Sequence, residues 1–518
     1  MRRNIMRKKK RISAVIIVLL TLLILLSAAV AIFVKRAAPP GEEWISYEND
    51  RVISEIDRQL AGLDIEKIVE EKAPYVVETG IEDIQKSVAE GLISYREITA
   101  VCLYRIRTMD QTDRGLNSVI SVNPHAMEEA ARRDLALENM PELSSGIYGI
   151  PVMLKDNINT VDMPVSAGTV AFSDYYPPVD AGIVTALKDR GAIILGKTNL
   201  SELSNYMSSL MPAGYSGRKG QTVNPFGPLK RSASGSSSGS AVAVTANLVP
   251  VSMGTETDGS IVAPSAANSV VGYKPSRKLV PDDGIVPLVK ALDTPGPIAK
   301  CVKDAAAVCH AVTGETLSED YQGDALKGKR VGLLGYEYND KKMLAMLRDY
   351  LQSAGAEVVD VNPDFKGIIL FRNISLSFRT DFEEYAETYG LPIRTLDDLL
   401  AFNRQDPERR MRYGQDWLEG AAGTQQQDPA EIGESIQNAE KALTALFDEN
   451  RLDALVFLNS SGSTAPAAAG WPELTVPMGQ DRKGAPQGAT FTARYGEDEA
   501  LLNMGYGFET HVRGRMVP

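Results

Sequence analysis

The stretch VDAGIVTALKDRGAIILGKTNLSE, residues 179–202, decides the fold class. Residues 183–190 read as a helix, and residues 192–195, just past Gly191, as a short buried strand. The pairing recurs outward from it. Upstream, Val119-Ile120-Ser121-Val122 is strand-like, a charged helical run covers 126–137, and 147–154 is another short apolar run. Downstream, similar apolar runs stand at 330–334 and 455–458. Short apolar strands between helical segments indicate an α/β core with a mixed or parallel sheet. No repeat of fixed period and no sustained heptad run interrupts it.

Nearer the N-terminus, Ile81, Ile84, Val88 and Leu92 recur at helical spacing with polar residues between them, and Gly91 marks the end of that amphipathic helix. Ser94 and Glu97 form a capping-box pattern ahead of a second helix, whose face holds Ile98, Val101, Cys102, Ile106 and Met109. Cys102 is read as a core residue there. Residues 41–80 are polar, with helical spacing at Val52, Ile53, Ile56 and Leu60, and read as a stalk or as an arm packed on the body. Residues 360–450 are richer in charge and helical spacing, with Gln425–Gln427 in a loop, and read as a helical insertion or cap over the core.

The chain has 518 residues, enough for one large or two ordinary domains, and a globular composition of 44% hydrophobic and 24% charged residues. A net charge of -12 argues against nucleic acid as the main partner. The extreme N-terminus departs from this acidity. Seven basic residues lie within 1–11, and 12–34 carry no charge. At about 1.5 Å per helical residue that run spans about 35 Å, more than a bilayer's hydrocarbon core. The basic flank places the remaining chain outside the cytoplasm. A retained signal anchor is the favoured reading; Ala29-Val30-Ala31 resembles a cleavage site and leaves secretion after cleavage as the alternative. Cys102, Cys301 and Cys309 show no CxxC spacing, so the core supplies stability without a disulfide framework. Three scattered histidines argue against a histidine-rich metal site.

Residues 232–240 read SASGSSSGS and run directly into the small apolar stretch AVAVTA. A linker would continue into polar sequence, whereas a helix here points its first free N–H groups back at the serines. Neither a Walker A lysine nor a dinucleotide GxGxxG is present. Gly235-Ser236-Ser237-Ser238-Gly239 has the GxSxG spacing of a nucleophile elbow, with Ser237 in the middle, but no strand-like run precedes it. Farther on, GTETDGSI at 254–261 places Ser260 after a glycine that permits a tight turn, where backbone N–H groups can face a developing oxyanion.

Several separate segments in one order resemble the amidase signature family: GLNSVISVNP at 115–124, PVMLKDNI at 151–158, the opening stretch at 179–202, RSASGSSSGSAVAV at 231–244, GTETDGSI at 254–261, GYKPS at 272–276, LDTPGPIAK at 292–300 and AGWPELTVPMG at 469–479. The resemblance covers about 80 to 510. It implies a large mixed β-sheet core flanked by helices on both faces, here with an N-terminal membrane helix, and a Ser–cis-Ser–Lys triad. The nucleophile falls on Ser260, the bridging serine on Ser236 after a cis Gly235–Ser236 peptide, and the lysine on Lys155. Main-chain N–H groups of Thr257, Asp258 and Gly259 supply the oxyanion hole; Ser237 and Asp156 are supporting residues, Asp156 orienting Lys155 or capping a turn. Asp293 reads as structural, ahead of a Pro-Gly-Pro turn. Ser234 and Ser238 stand where Gly is common in the family, and Glu256 and Asp258 where many members have Asp and Gly; the TETDGS form resembles one branch of bacterial members.

The implied chemistry is hydrolysis of a carboxylic or peptide-like amide through a Ser260 acyl-enzyme, with no cofactor, no metal and no required partner protein. Serine must lose a proton during attack, so Lys155 must be held neutral by desolvation or a nearby positive group, and partial burial in a cleft is expected. The domain expectation is a basic flank and transmembrane anchor over 1–36, a juxtamembrane arm over 37–78, and an amidase domain over 79–518 with 360–450 a helical substrate-side insertion. Phe371, Phe378, Tyr413 and Trp417 are candidate lining or core residues of that insertion. The alternatives are a glutamine-hydrolysing amidotransferase subunit and a non-catalytic surface binding protein.

Overall fold

In chain order the strands are β1 (Val119–Val122), β2 (Pro151–Lys155), β3 (Ile193–Thr198), β4 (Tyr215–Ser216), β5 (Gly220–Gln221), β6 (Val251–Glu256), β7 (Val271–Lys274), β8 (Thr294–Ala299), β9 (Arg330–Leu334), β10 (Glu357–Val361), β11 (Ala454–Leu458), β12 (Glu473–Gln480) and β13 (Pro486–Thr492). They come from a computed structural model that describes residues 41–313, 321–365, 367–424 and 429–518. β4 and β5 form a two-stranded sheet; the other eleven form one sheet in the order β1-β3-β2-β6-β8-β7-β12-β13-β11-β9-β10. β3, β2 and β6 run parallel, as do β10, β9 and β11, while the strands between alternate in direction.

Both faces of this sheet are buried, as alternation along β11 shows. Ala454, Val456 and Leu458 enter a core shared with helices Val302–Thr313, Lys341–Ser353 and Asp498–Val512. Leu455 and Phe457 point the other way, into a second core with helix Leu370–Tyr389 and with Leu443 and Phe447. A period of two on a sheet covered on both sides explains why the strands read as unbroken apolar runs. The capping box forms: Ser94 Oγ accepts from Glu97 N at 3.2 Å and Glu97 Oε2 accepts from Ser94 N at 2.9 Å. Cys102 is fully buried. Of residues 41–80, helix Asn49–Leu60 buries Val52, Ile56 and Leu60 against the body. Tyr47 N donates to Lys219 O at 2.9 Å.

Register then brings the site together. Leu154 of β2 lies opposite Met253 of the parallel β6, so Lys155 at the end of β2 arrives beside the end of β6. Glu256, the last residue of β6, lies opposite Thr294, the first residue of the antiparallel β8. Lys155, the 255–257 segment and Asp293 therefore meet at one edge of the sheet, outside the carboxyl ends of its parallel strands.

Two sequence expectations are corrected. The Pro-Gly-Pro run is not a turn: Pro295, Gly296 and Pro297 lie inside β8. Both prolines pair with β6, and β7 meets β8 only at Ile298 and Ala299, so the missing N–H groups forfeit no bond to β7. Gly296 is required because a Cβ there would lie 2.1 Å from Tyr273 O. The second correction concerns the membrane. The span expected over 12–34 lies outside the described residues, and among the described residues no helix is long and apolar enough to cross a membrane. The two helices with the length carry Arg372, Arg379, Asp381, Glu383, Glu384 and Glu387 in one case, and Glu431, Glu434, Glu440, Lys441, Asp448 and Glu449 in the other. Each such charge is costly in hydrocarbon. The fold is the mixed sheet with its helices; the membrane helix and the anchored, extracytoplasmic placement drawn from it are set aside.

Candidate active site

Lys155 ends β2 with its side chain fully buried. Its Nζ lies 2.7 Å from Ser236 Oγ, 2.8 Å from Thr255 Oγ1 and 3.0 Å from Thr255 O. Burial pushes the Lys155 amine down to about 7; the negative charges of Asp293 and Glu256 pull the other way. The three contacts suit a neutral amine. A neutral amine that donates to Thr255 O and Thr255 Oγ1 would keep its lone pair for the Ser236 hydroxyl, whereas an ammonium donates to all three oxygens. Asn157 Nδ2 also donates to Thr255 Oγ1, at 3.0 Å, which occupies that oxygen from the other side.

Ser236 follows a cis peptide bond from Gly235 and is fully buried. Its carbonyl accepts from Ser201 N at 3.1 Å. Ser237 Oγ donates to Thr255 O at 3.2 Å and accepts from Thr255 N at 3.3 Å, while Ser237 N donates to Ser260 O at 3.1 Å. The serine loop is thereby clamped to the turn that carries Ser260. Helix Ser238–Thr245 follows at once and is buried on every side, which accounts for its small residues.

Ser260 is 8% exposed and follows Gly259, whose φ of +76° favours glycine. Glu256 Oε2 accepts from Ile261 N at 2.6 Å and Val262 N at 3.0 Å, fixing the start of helix Val262–Ala267 directly behind Ser260. Thr257 Oγ1 donates to Asp293, whose other oxygen accepts from Leu288 N at 2.7 Å and Val289 N at 3.1 Å. Burial holds the Asp293 carboxyl up at about 7. Asp258 is exposed at the turn, and Thr464 Oγ1 donates to it at 3.2 Å. The main-chain N–H groups of Thr257, Asp258 and Gly259 donate to no protein acceptor among the described residues.

The structure thus brings Lys155, Ser236, Ser237, Ser260 and the 257–259 turn into one cluster. No hydrogen bond joins Ser236 Oγ to Ser260 Oγ among the described residues. Asp156 faces elsewhere: its carboxylate accepts from Ser166 and lies 3.5 Å from Arg218 and 3.9 Å from Lys197, all buried, and it makes no hydrogen bond to Lys155. The sequence reading missed Thr255 and Asn157. Both lie inside quoted motifs, but nothing in their spacing announces a bond between them. Among the candidate lining residues, Phe378 is buried; Phe371, Phe378 and Trp417 gather around Tyr206, and Tyr413 packs edge-on against Tyr215.

Comparison with known proteins identifies the family. The sequence matches the amidase family profile over residues 97–410. It is 33% identical to a probable amidase of Arabidopsis thaliana across 86% of this chain and 92% of that protein. The fold superposes on the crystal structure of an amidase family protein from Bacillus anthracis with a TM-score of 0.89 and 40% identity, covering 93% of this chain and all of the other. It superposes on the native peptide amidase of Stenotrophomonas maltophilia with a TM-score of 0.80 and 38% identity, covering 86% and 99%. By the extent of these matches, the chain belongs to the amidase family and is an amide-bond hydrolase.

Proposed function

We propose that the chain hydrolyses the terminal carboxamide of a peptide-like substrate through an acyl-enzyme on Ser260, with Ser236 as proton shuttle and Lys155 as base. The observation that carries the reading is the buried Lys155 amine, held near neutrality and 2.7 Å from Ser236 Oγ. In the first half-reaction Ser260 Oγ attacks the carbonyl carbon as its proton passes to Ser236, whose own proton passes to Lys155. For this relay Ser260 Oγ closes to hydrogen-bond distance of Ser236 Oγ, a contact of the kind that tightens on substrate binding. The tetrahedral oxyanion accepts from N–H groups of the 257–259 turn, which have no protein acceptor among the described residues. The C–N bond then breaks as Ser236 protonates the leaving nitrogen and Lys155 returns the proton to Ser236. Water, deprotonated along the same route, attacks the ester carbon; acid is released and Ser260 recovers its proton.

The peptide-amide preference rests on the 38% identity to a peptide amidase over most of both chains. The helical segment between β10 and β11 supplies the substrate-side wall in this reading. Tyr385 of helix Leu370–Tyr389 donates to Asn159, four residues past Lys155, and Asp381 accepts from Lys290 N at 2.8 Å beside the Asp293 loop. The test is release of ammonia from a panel holding a blocked peptide amide, a simple carboxamide and free glutamine. The Ser260→Ala variant should lose at least about a thousandfold in kcat on the best substrate; unchanged turnover would overturn the assignment. Efficient hydrolysis of glutamine alone would transfer the reading to an amidotransferase subunit.

A further inference from the structure

Behind the Ser260 turn lies a pair of buried carboxyl groups that the reaction above does not use. Glu256 ends β6 and is 1% exposed; Glu473 begins β12 and is fully buried. The two side chains lie within hydrogen-bonding reach of each other. Glu256 Oε2 is taken up by the N–H groups of Ile261 and Val262. Glu256 Oε1 and both oxygens of Glu473 meet no donor among the described residues. Lys274, opposite Glu473 on β7, is 3.9 Å from Glu473 Oε2 and donates to Trp471 O. Asp258 adds a further negative charge nearby, and Lys155 feels the charge of Glu256. Two ionised carboxylates in contact, both dry and with one lysine between strands, would leave three oxygens unpaired and one charge uncompensated. A single proton removes the difficulty: the carboxylic acid of one donates to the carboxylate of the other, and the remaining charge is matched by Lys274.

We propose that Glu473 is a positioning residue for the nucleophile, holding Glu256, and through it the turn that follows Ser260, by one proton shared between the two carboxyl groups. Burial, and after it the charge of Glu256, holds Glu473 well above the usual carboxylate range, in keeping with a retained proton. Glu256 alone could rotate among its rotamers. Tied to Glu473, it keeps Oε2 on the N–H groups of Ile261 and Val262, and so fixes the direction from which Ser260 Oγ leaves the chain. Glutamine at 473 can reproduce the bond, its amide N–H donating to Glu256 while its oxygen faces Lys274; alanine cannot.

This rests on Ser260 being the nucleophile, and the experiment separates the two. The full chain with Glu473→Gln and Glu473→Ala is compared with wild type for kcat and KM on a blocked peptide amide, and by infrared spectroscopy for a buried protonated carboxyl. The wild-type minus Glu473→Gln difference spectrum should contain a carboxylic-acid band, over and above that of other buried carboxyl groups such as Asp293. Glu473→Gln should keep kcat within about threefold, whereas Glu473→Ala should lose at least about tenfold in kcat with KM little changed. Should the alanine variant fail to fold, Glu473→Met, of similar length and without a proton to share, takes its place. Absence of the band from that difference spectrum, or equal kcat in the Gln and Ala (or Met) variants, overturns the proposal. Either result would leave covalent labelling of Ser260 intact, whereas loss of that labelling alone would refute the nucleophile.

Discussion

Lowering the pH should switch the enzyme off chiefly through Lys155, with the Asp293 carboxyl, also held up at about 7, titrating in the same range. The Lys155 amine sits at about 7, against 10.5 for a solvated lysine, because burial disfavours its charged form. At pH 7 about half of it is neutral, where an ordinary lysine would be neutral in only about 3 parts in 10,000. Burial therefore enlarges the active base population about 1,600-fold at that pH. The neutral fraction falls from about 0.9 at pH 8 to about 0.09 at pH 6 and about 0.03 at pH 5.5. The assay is kcat/KM for ammonia release from an N-acetylated peptide amide, which has no titrating group of its own, between pH 5.5 and 9. A plot of log kcat/KM should rise with a slope of about one below pH 7 and level off above it, with about a thirtyfold difference between pH 5.5 and 8. The same shift has a cost in stability. A folded-state value below the unfolded one means that the unfolded chain binds the extra proton, so stability is greatest above pH 10.5 and declines as pH falls towards 7, by about 1.4 kcal/mol per pH unit from this residue. Relative to wild type, Lys155→Met should lack that decline in urea melts while being inactive. A flat rate profile from pH 5.5 to 8, with Lys155→Met showing the same pH dependence of stability as wild type, would refute a neutral lysine base.

Other consequences follow from neighbouring contacts. Thr255→Val removes a hydroxyl that accepts from both Lys155 and Asn157, and should lower kcat by about ten- to a hundredfold with little change in KM, measured on the same substrate. Asp156→Asn leaves the buried Lys197 and Arg218 without their counter-charge and should cost about 3–5 kcal/mol of stability in urea unfolding. Ser94→Ala deletes one half of a formed capping box far from the chemistry; it should cost about 1 kcal/mol by the same method and leave kcat unchanged.

The fold was legible wherever local physics and tertiary need coincide. The apolar runs at 119–122, 330–334 and 455–458 became β1, β9 and β11, because a strand covered on both faces carries few polar residues to blur its signal. Ser94 and Glu97 announced a helix start, since a capping box is built from residues three apart. The Pro-Gly-Pro run misled, because proline's turn preference was overridden where β8 has a single ladder partner. In the site, Lys155, Ser236 and Ser260 were reached through motif order and not through their distances, as 81 residues separate the hydrogen-bonded Lys155 and Ser236. Asp156 looked like a partner of Lys155 because it is adjacent in sequence, yet β2 ends at Lys155 and Asp156, in the turn beyond, faces Arg218 and Lys197 instead. Thr255, Asn157 and Glu473 join the cluster only through register between strands, which a single sequence does not specify.

Whether Ser260 is the nucleophile can be read by covalent trapping. The full chain is treated with a fluorophosphonate, digested and analysed by mass spectrometry, alongside Ser260→Ala. One adduct is expected, on the peptide bearing Ser260, that disappears in the variant and forms more slowly as pH falls below 7. An adduct on Ser237, or none on a folded and active chain, would contradict it.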